Sequence, residues 1–475
     1  MTEDRLTYGD LVLPYYTNTN AAIKLIATLH ENEQDTRGTN TTVNMTIPDL
    51  AFAIEVAGLN SLWIADTGRG KTQLLSDLAW HHFNGDGEGG DCNWGDGRPN
   101  FDVAELFMKQ TADLSTGKYD SDTARVLKKD RIQRLFFALD EINRAPRPRQ
   151  NEFFDVADGK WSSVGVRHAL GREGYSIFMG TANVNKMNGD FSGTYEFDRA
   201  LLSRSHVTVD LDHPSFRPTA LDELVIAKRK RNPKVDIAPA RSIANKILAA
   251  HQKLMGPIPG VDQYFDIFRF IMGRGLDFCS KDTYAEKTLF PTLCPDCATE
   301  QEDKAVCYLV KAASERTVTS TTMLAKGLAA IAELKLQHEG KIASPDLVSF
   351  DPFQLCLQAY QFTGYHGNLN EPRLQHEYGA RVQAMMNDIV GKLGGTMDTI
   401  NSYMGEMLQG NNPSLLKFEG KSGTRWSENN AELREHFDQN GTTYEQVQLA
   451  DALKEYGLGT DWVQTFVDNQ DMYKE

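Results

Sequence analysis

The sequence predicts an α/β fold, a parallel sheet flanked by helices, followed by a mostly helical second half. Two observations predict it. A short apolar run, Ser61-Leu62-Trp63-Ile64, leads through a glycine-containing loop into a segment with apolar residues at helical spacing. A second apolar run, Leu135 to Leu139, ends in two carboxylates, Asp140 and Glu141. Unbroken apolar runs of this length suit strands buried on both faces, with helices supplying the cover.

The first loop carries the strongest chemistry. Ala65, Asp66, Thr67, Gly68, Arg69, Gly70, Lys71 and Thr72 form a phosphate-binding pattern in which alanine stands where the first glycine is usual. Glycines let the chain turn so that successive N–H groups point inward at phosphate oxygens. Leu74, Leu75, Leu78 and Ala79 fall on one helical face, so a helix starts after Thr72. Its N-terminus adds partial positive charge. In such a loop Lys71 reaches the β- and γ-phosphates and the Thr72 hydroxyl ligates Mg²⁺.

The acidic strand end supplies the partner groups. Asp140, at the carboxyl edge of its strand, is placed to hold Mg²⁺ through its water shell. Glu141 is placed to polarise an attacking water. Ligands of open α/β sheets sit along this edge. Loop and acids together predict binding of a nucleoside triphosphate with Mg²⁺, and its hydrolysis.

The motif Asp140-Glu141-Ile142-Asn143-Arg144-Ala145 resembles the signature of MoxR-type AAA+ ATPases. The resemblance runs from about Asp49 to Phe350 and implies a P-loop AAA+ core with an α-helical lid. By it, Tyr175 to Asn183 corresponds to the sensor 1 strand, and Asn183 orients the lytic water with Glu141. Gly193 to Pro214 resembles the stretch with the arginine finger. Arg204 matches the finger and Arg199 is the alternative, since the chain has Ser203-Arg204 where the family has Asp-Arg. Arg316 and the helix to Leu336 resemble sensor 2, and Ser344 to Val348 the last lid helix. A finger given to a neighbour implies a homo-oligomer, in this family a hexameric ring, because head-to-tail contacts close into rings. The hairpin read from Asp158-Gly159-Lys160-Trp161 onward corresponds to one facing the ring pore. Trp161 would there touch a polypeptide client, or else pack in a core or interface. The family's clients include von Willebrand A-domain proteins.

Length and composition set the outer bounds. At 475 residues the chain calls for about two to four domains. We expect an N-terminal lead-in (1–48), the nucleotide-binding α/β core (49–216), the helical lid (217–365) and a C-terminal helical extension (366–475). Forty per cent hydrophobic and 24% charged residues are ordinary for a soluble protein. The absence of a long apolar run or a basic-then-apolar leader predicts a cytoplasmic protein without membrane contact. A net charge of −15 speaks against bulk nucleic-acid binding, and so against the alternative of a nucleic-acid motor. The other alternative, a nucleotide-gated scaffold with little turnover, leaves Glu141 without a purpose.

Four of the six cysteines cluster: Cys279, Cys294, Cys297 and Cys307. Cys294-Pro295-Asp296-Cys297 has the spacing that brings two thiolates to one ion, so a structural Zn²⁺ site stapling an insertion in the lid is expected. Free thiols or a redox pair are the competing reading. Cys92 and Cys356 read as lone thiols. Asn84 to Pro99 reads as a solvated loop, His81-His82 as a charged helix end, and Ala21 to Ile26 as helix-like.

Overall fold

The computed structural model describes residues 5–32, 38–111, 124–127, 129–163, 166–183, 195, 197–229, 234–256, 265 and 313–365. The cysteine cluster 279–307 and the extension from 366 lie outside them. The chain divides into two compact units, Met1–Gly256 with Lys326–Phe350, and Pro257–Ala325 with Asp351–Glu475.

In chain order the strands are β1 (Ile23–Leu29), β2 (Thr39–Met45), β3 (Ser61–Ala65), β4 (Cys92–Asp96), β5 (Met108–Thr111), β6 (Ala124–Leu127), β7 (Phe136–Asp140), β8 (Lys160–Ser163), β9 (Val166–Ala169), β10 (Ile177–Asn183), β11 (Val207–Asp210) and β12 (Val348–Phe350). Five of them form the central sheet, in the order β11-β3-β10-β7-β4, with every neighbouring pair parallel. The two apolar runs are β3 and β7, and the segment likened to the sensor 1 strand is β10. β3, β10 and β11 are buried at every position, as helix cover on both faces requires. The fold class is therefore the predicted one.

The order of strands matters for the site. β3 and β7 are not neighbours; β10 lies between them, with Asn183 level with Ala65 and Gly180 level with Leu139. The polar tip of β10 is thus delivered between the loop after β3 and the acids ending β7. The helix after the loop runs Lys71–Asp77 and continues as a π turn, Leu78–His82. Leu74, Leu75, Leu78 and Ala79 are fully buried, the predicted face.

Several sequence expectations are corrected. Ala21 to Ile26 is not helical: β1 begins at Ile23, buries Ile23, Leu25 and Ala27 and exposes Lys24 and Ile26. Its period is 2, and a six-residue window is too short to separate that from a helical one. Ser344 to Val348 forms one 3₁₀ turn, Pro345–Leu347, capped by Ser344, and then β12. Ser-Pro is a proper helix start, but Val348-Ser349-Phe350 pairs antiparallel with β1 instead. β1, β2 and β12 make a separate three-stranded sheet.

The glycine- and aspartate-rich segment 84–99 contains β4, the edge of the central sheet, and is not a free loop. Buried Arg134 holds it: one Nη donates to Asp86 Oδ1 (2.7 Å) and the Cys92 carbonyl (2.5 Å), the other to the Gly87 carbonyl (2.8 Å). His82 ends the π turn. It is fully buried, with Nε2 donating to the Leu11 carbonyl (3.0 Å) and Nδ1 at 2.8 Å from Glu55 Oε2. Cys92 and Cys356 are free and buried.

β8 and β9 form the predicted hairpin. Trp161 is 7% exposed and stacks on Phe107 at 4.6 Å, the core alternative for this side chain. In the second unit, Thr321 on the helix Glu315–His338 hydrogen-bonds Thr363 on the helix Pro352–Thr363 (2.6 Å). Among the described residues no helix is long and apolar enough to cross a membrane.

Candidate functional site

Everything assigned to the first unit from the two motifs meets at the carboxyl edge of the central sheet. The loop leaves β3 at Ala65, still a strand residue, so alanine there costs the turn nothing. The left-handed positions are Gly68 (φ 77°) and Gly70 (φ 81°), where only glycine avoids strain. Gly70 is also the N-cap of the following helix, and the Tyr16 ring packs against it, bringing the N-terminal segment to the loop. That segment is anchored by Asp77, whose Oδ2 accepts from the amides of Tyr15 (2.9 Å) and Tyr16 (2.6 Å).

Lys71 is 5% exposed and folds back over its own loop. Its Nζ donates to the carbonyls of Ala65 (3.0 Å) and Asp66 (2.8 Å). Burial pulls its pKa down to about 8, against the carboxylates of Asp212, Asp140, Asp66 and Glu141, which favour the charged form. The ammonium is therefore present below about pH 8 and lost above it. ATP affinity should weaken as pH rises through about 8, and Lys71→Arg should remove that bend, because guanidinium does not titrate there. Calorimetric ATP titrations between about pH 7 and pH 10 would check this. Stability should move the opposite way, rising across that window, because the unfolded lysine still binds its proton there.

The Thr72 hydroxyl lies 3.0 and 3.2 Å from the two Asp140 oxygens. An oxygen-only pair this close would suit a hard cation such as Mg²⁺, which Thr72 and Asp140 would hold. The Thr181 hydroxyl, not singled out in the sequence, donates to Asp140 Oδ1 and accepts from the Glu141 amide (2.9 Å). It lies two residues before Asn183 on β10 and so on the same strand face, which is the signal that could have found it.

Glu141 has the left-handed backbone angle φ 50°, a conformation that costs a non-glycine residue about 1–3 kcal/mol. Close approach from the next strand enforces it: Gly97 donates to the Asp140 carbonyl (2.6 Å), and a Cβ at Gly97 would collide with the Glu141 carbonyl. The carboxylate is then fixed from two sides. Asn183 Nδ2 donates to Oε1 (2.7 Å) and Arg144 Nε pairs with Oε2 (2.9 Å). Asn143 locks the Asn183 backbone, donating to its carbonyl (2.7 Å). Sequence reasoning missed Arg144 and Asn143 as site residues although both stand inside the quoted motif.

The arginines fall elsewhere. Arg204 ends the helix Arg199–Arg204; its Nε donates to Asp158 Oδ2 (3.0 Å), its Nη1 to the Ala200 carbonyl (3.1 Å), and its guanidinium lies over Phe154 at 5.0 Å. Burial works against the Asp158 charge, but Arg204 and Lys160 hold its carboxyl below the usual range. Arg199 opens the same helix. Arg316 lies in the first turn of the helix Glu315–His338, in the second unit. Within the loop, Arg69 turns to Asp212, at 3.2 Å.

No protein-family profile matches the chain, and no curated protein matches it. Among solved structures it is similar to a candidate ATPase from Cytophaga hutchinsonii, 15% identical, over 72% of this chain and 88% of that one, with a TM-score of 0.48. It is also similar to a full-length MCM homolog from Methanopyrus kandleri, 11% identical, over 66% of this chain, with a TM-score of 0.37. The chain spans 53% of that homolog's length. Likenesses at this level assign no activity, and the geometry above is what a functional reading rests on.

Proposed function

We propose that this chain is an AAA+ ATPase of MoxR type, a cytoplasmic ring-forming protein that hydrolyses ATP and spends the cycle on remodelling a partner protein. The observation that carries the reading is the convergence of Lys71, Thr72, Asp140, Glu141 and Asn183 at one sheet edge, each within hydrogen-bond reach of another member or of the 65–72 loop. Bound ATP with Mg²⁺ supplies the reacting γ-phosphoryl group. Lys71 exchanges the carbonyls of Ala65 and Asp66 for phosphate oxygens. Thr72 and Asp140 hold the metal side. Glu141, oriented by Asn183 and Arg144, takes the proton of the attacking water.

Arg204 is assigned to the neighbouring subunit's site, with Arg199 as second candidate, and Arg316 to nucleotide sensing from the lid. The contacts of Arg204 with Asp158, Ala200 and Phe154 fix its direction and leave N–H groups for a phosphate. The client is a protein, with a von Willebrand A-domain protein as first candidate. Cys279, Cys294, Cys297 and Cys307 are assigned to a structural Zn²⁺.

Shared sites make a distinctive prediction. Turnover per subunit should rise with protein concentration, and Arg204→Ala should lower it by about 10³-fold or more, as for other fingers. Mixing Arg204→Ala subunits, which keep an intact loop, with Lys71→Ala subunits, which keep an intact finger, should restore part of the activity. Turnover untouched by both Arg204→Ala and Arg199→Ala would refute shared sites.

A further inference from the structure

We propose that Asp212 is a positioning residue for the 65–72 loop and that Arg69 serves as its charge shield rather than as a phosphate ligand. The proposal rests on the ATP-binding reading of the loop and goes beyond it. Asp212 owes its place to topology. β11 pairs with β3 so that Asp210 stands level with Ile64, and the Leu211 amide donates to the Ile64 carbonyl (2.9 Å). The next residue therefore lies beside the start of the loop. Its own amide is tied to Asp210 Oδ1 (3.1 Å), and its carbonyl accepts from Arg217 Nε (3.1 Å).

From that fixed backbone the carboxylate reaches the loop at two points. Oδ2 accepts from the Asp66 amide (2.8 Å) and Oδ1 from Arg69 Nε (3.2 Å). The Thr67 amide is taken in turn by Asp66 Oδ1 (2.7 Å). The first two amides of the turn are thus committed to carboxylates, and the amides from Gly68 onward are left to face phosphates. Asp212 sets where the turn begins, and Gly68 and Gly70 let it finish.

A carboxylate beside a site for a polyanion is also a liability, because like charges a few ångströms apart repel strongly where water is thin. Asp212 is 16% exposed at its side chain, against 38% for Arg69. Asp212 is also the foremost of the carboxylates acting on Lys71, ahead of Asp140. Arg69 Nε, paired with Asp212 Oδ1 at 3.2 Å, offsets this charge. A phosphate ligand and a shield then differ in one respect. Losing a ligand cannot be repaired by neutralising Asp212, whereas losing a shield can.

The test is ATP binding by calorimetry on the full chain as wild type, Arg69→Ala, Asp212→Asn, the Arg69→Ala/Asp212→Asn double variant, and Lys71→Ala, with thermal unfolding to confirm that each is folded. Asn at 212 keeps an acceptor for the Asp66 amide and removes the charge. Arg69→Ala should raise the Kd for ATP by about tenfold at low salt, and the deficit should shrink as salt rises. The double variant should return to within about threefold of wild type, with KM moving more than kcat throughout. A double variant no better than Arg69→Ala, or an Arg69→Ala protein that binds like wild type, overturns the proposal and leaves the ATP reading standing. A wild type showing no ATP binding that Lys71→Ala removes overturns both.

Discussion

Replacing Glu141 with glutamine is expected to lower ATP turnover by about 10²- to 10⁴-fold, the range for a lost general base. ATP binding should change little. Glutamine keeps the length of the side chain and can still accept from Asn183 Nδ2, now 2.7 Å from Oε1, so the strained backbone and the Thr181 contact survive. What disappears is the basic carboxylate and its pairing with Arg144. Single-turnover hydrolysis, read beside an ATP-binding titration, separates the two quantities. Hydrolysis at the wild-type rate would mean that another group activates the water. Loss of binding together with turnover would mean that Glu141 shapes the pocket rather than the reaction.

The second large effect concerns stability and lies away from the site. Asp49 is completely buried at the start of the helix Ile47–Ala57. Its Oδ2 accepts from Lys335 Nζ (2.6 Å), the Thr46 amide (2.8 Å) and the Thr46 hydroxyl (3.0 Å), and its Oδ1 from the Tyr8 hydroxyl (2.5 Å). Burial and the Asp49 charge push the Tyr8 hydroxyl above its ordinary range, so it stays a donor. Lys335→Met should destabilise the first unit by about 3–5 kcal/mol, because it strands a buried carboxylate. The Asp49→Asn/Lys335→Met pair should recover much of that loss, since no ion is then left unpaired. Denaturant melts with an unchanged slope would measure both. Equal losses in the single and double variants would show that the Lys335 stem, and not its charge, matters there.

These two cases sit at opposite ends of what a sequence reveals. Glu141 stands in a motif whose residues are neighbours in the chain, and its place at the sheet edge follows from that motif and the strand before it. The Asp49–Lys335 pair joins residues 286 apart, and nothing local marks either one. Asp212 is of the same kind. An acid after an apolar strand is ordinary, and only the pairing of β11 with β3 makes it part of the loop. β4 is missed for a different reason. Cys92-Asn93-Trp94-Gly95-Asp96 has neither apolar continuity nor alternation, and it is a strand because β7 offers an edge and Arg134 pins the segment beside it.

The sequence by itself determined three strands of the central sheet, the loop with its two left-handed glycines, and the helix that follows it. Those features arise from contacts within a few residues, where periodicity and backbone freedom act directly. Only the tertiary structure decided the strand order that sets Asn183 between Lys71 and Glu141, the conversion of the two ends of the first unit into one antiparallel sheet, the burial of Trp161 and His82, and the capture of the loop by Asp212. Each depends on surfaces that meet only after the chain has folded, where burial and pairing outweigh local preference.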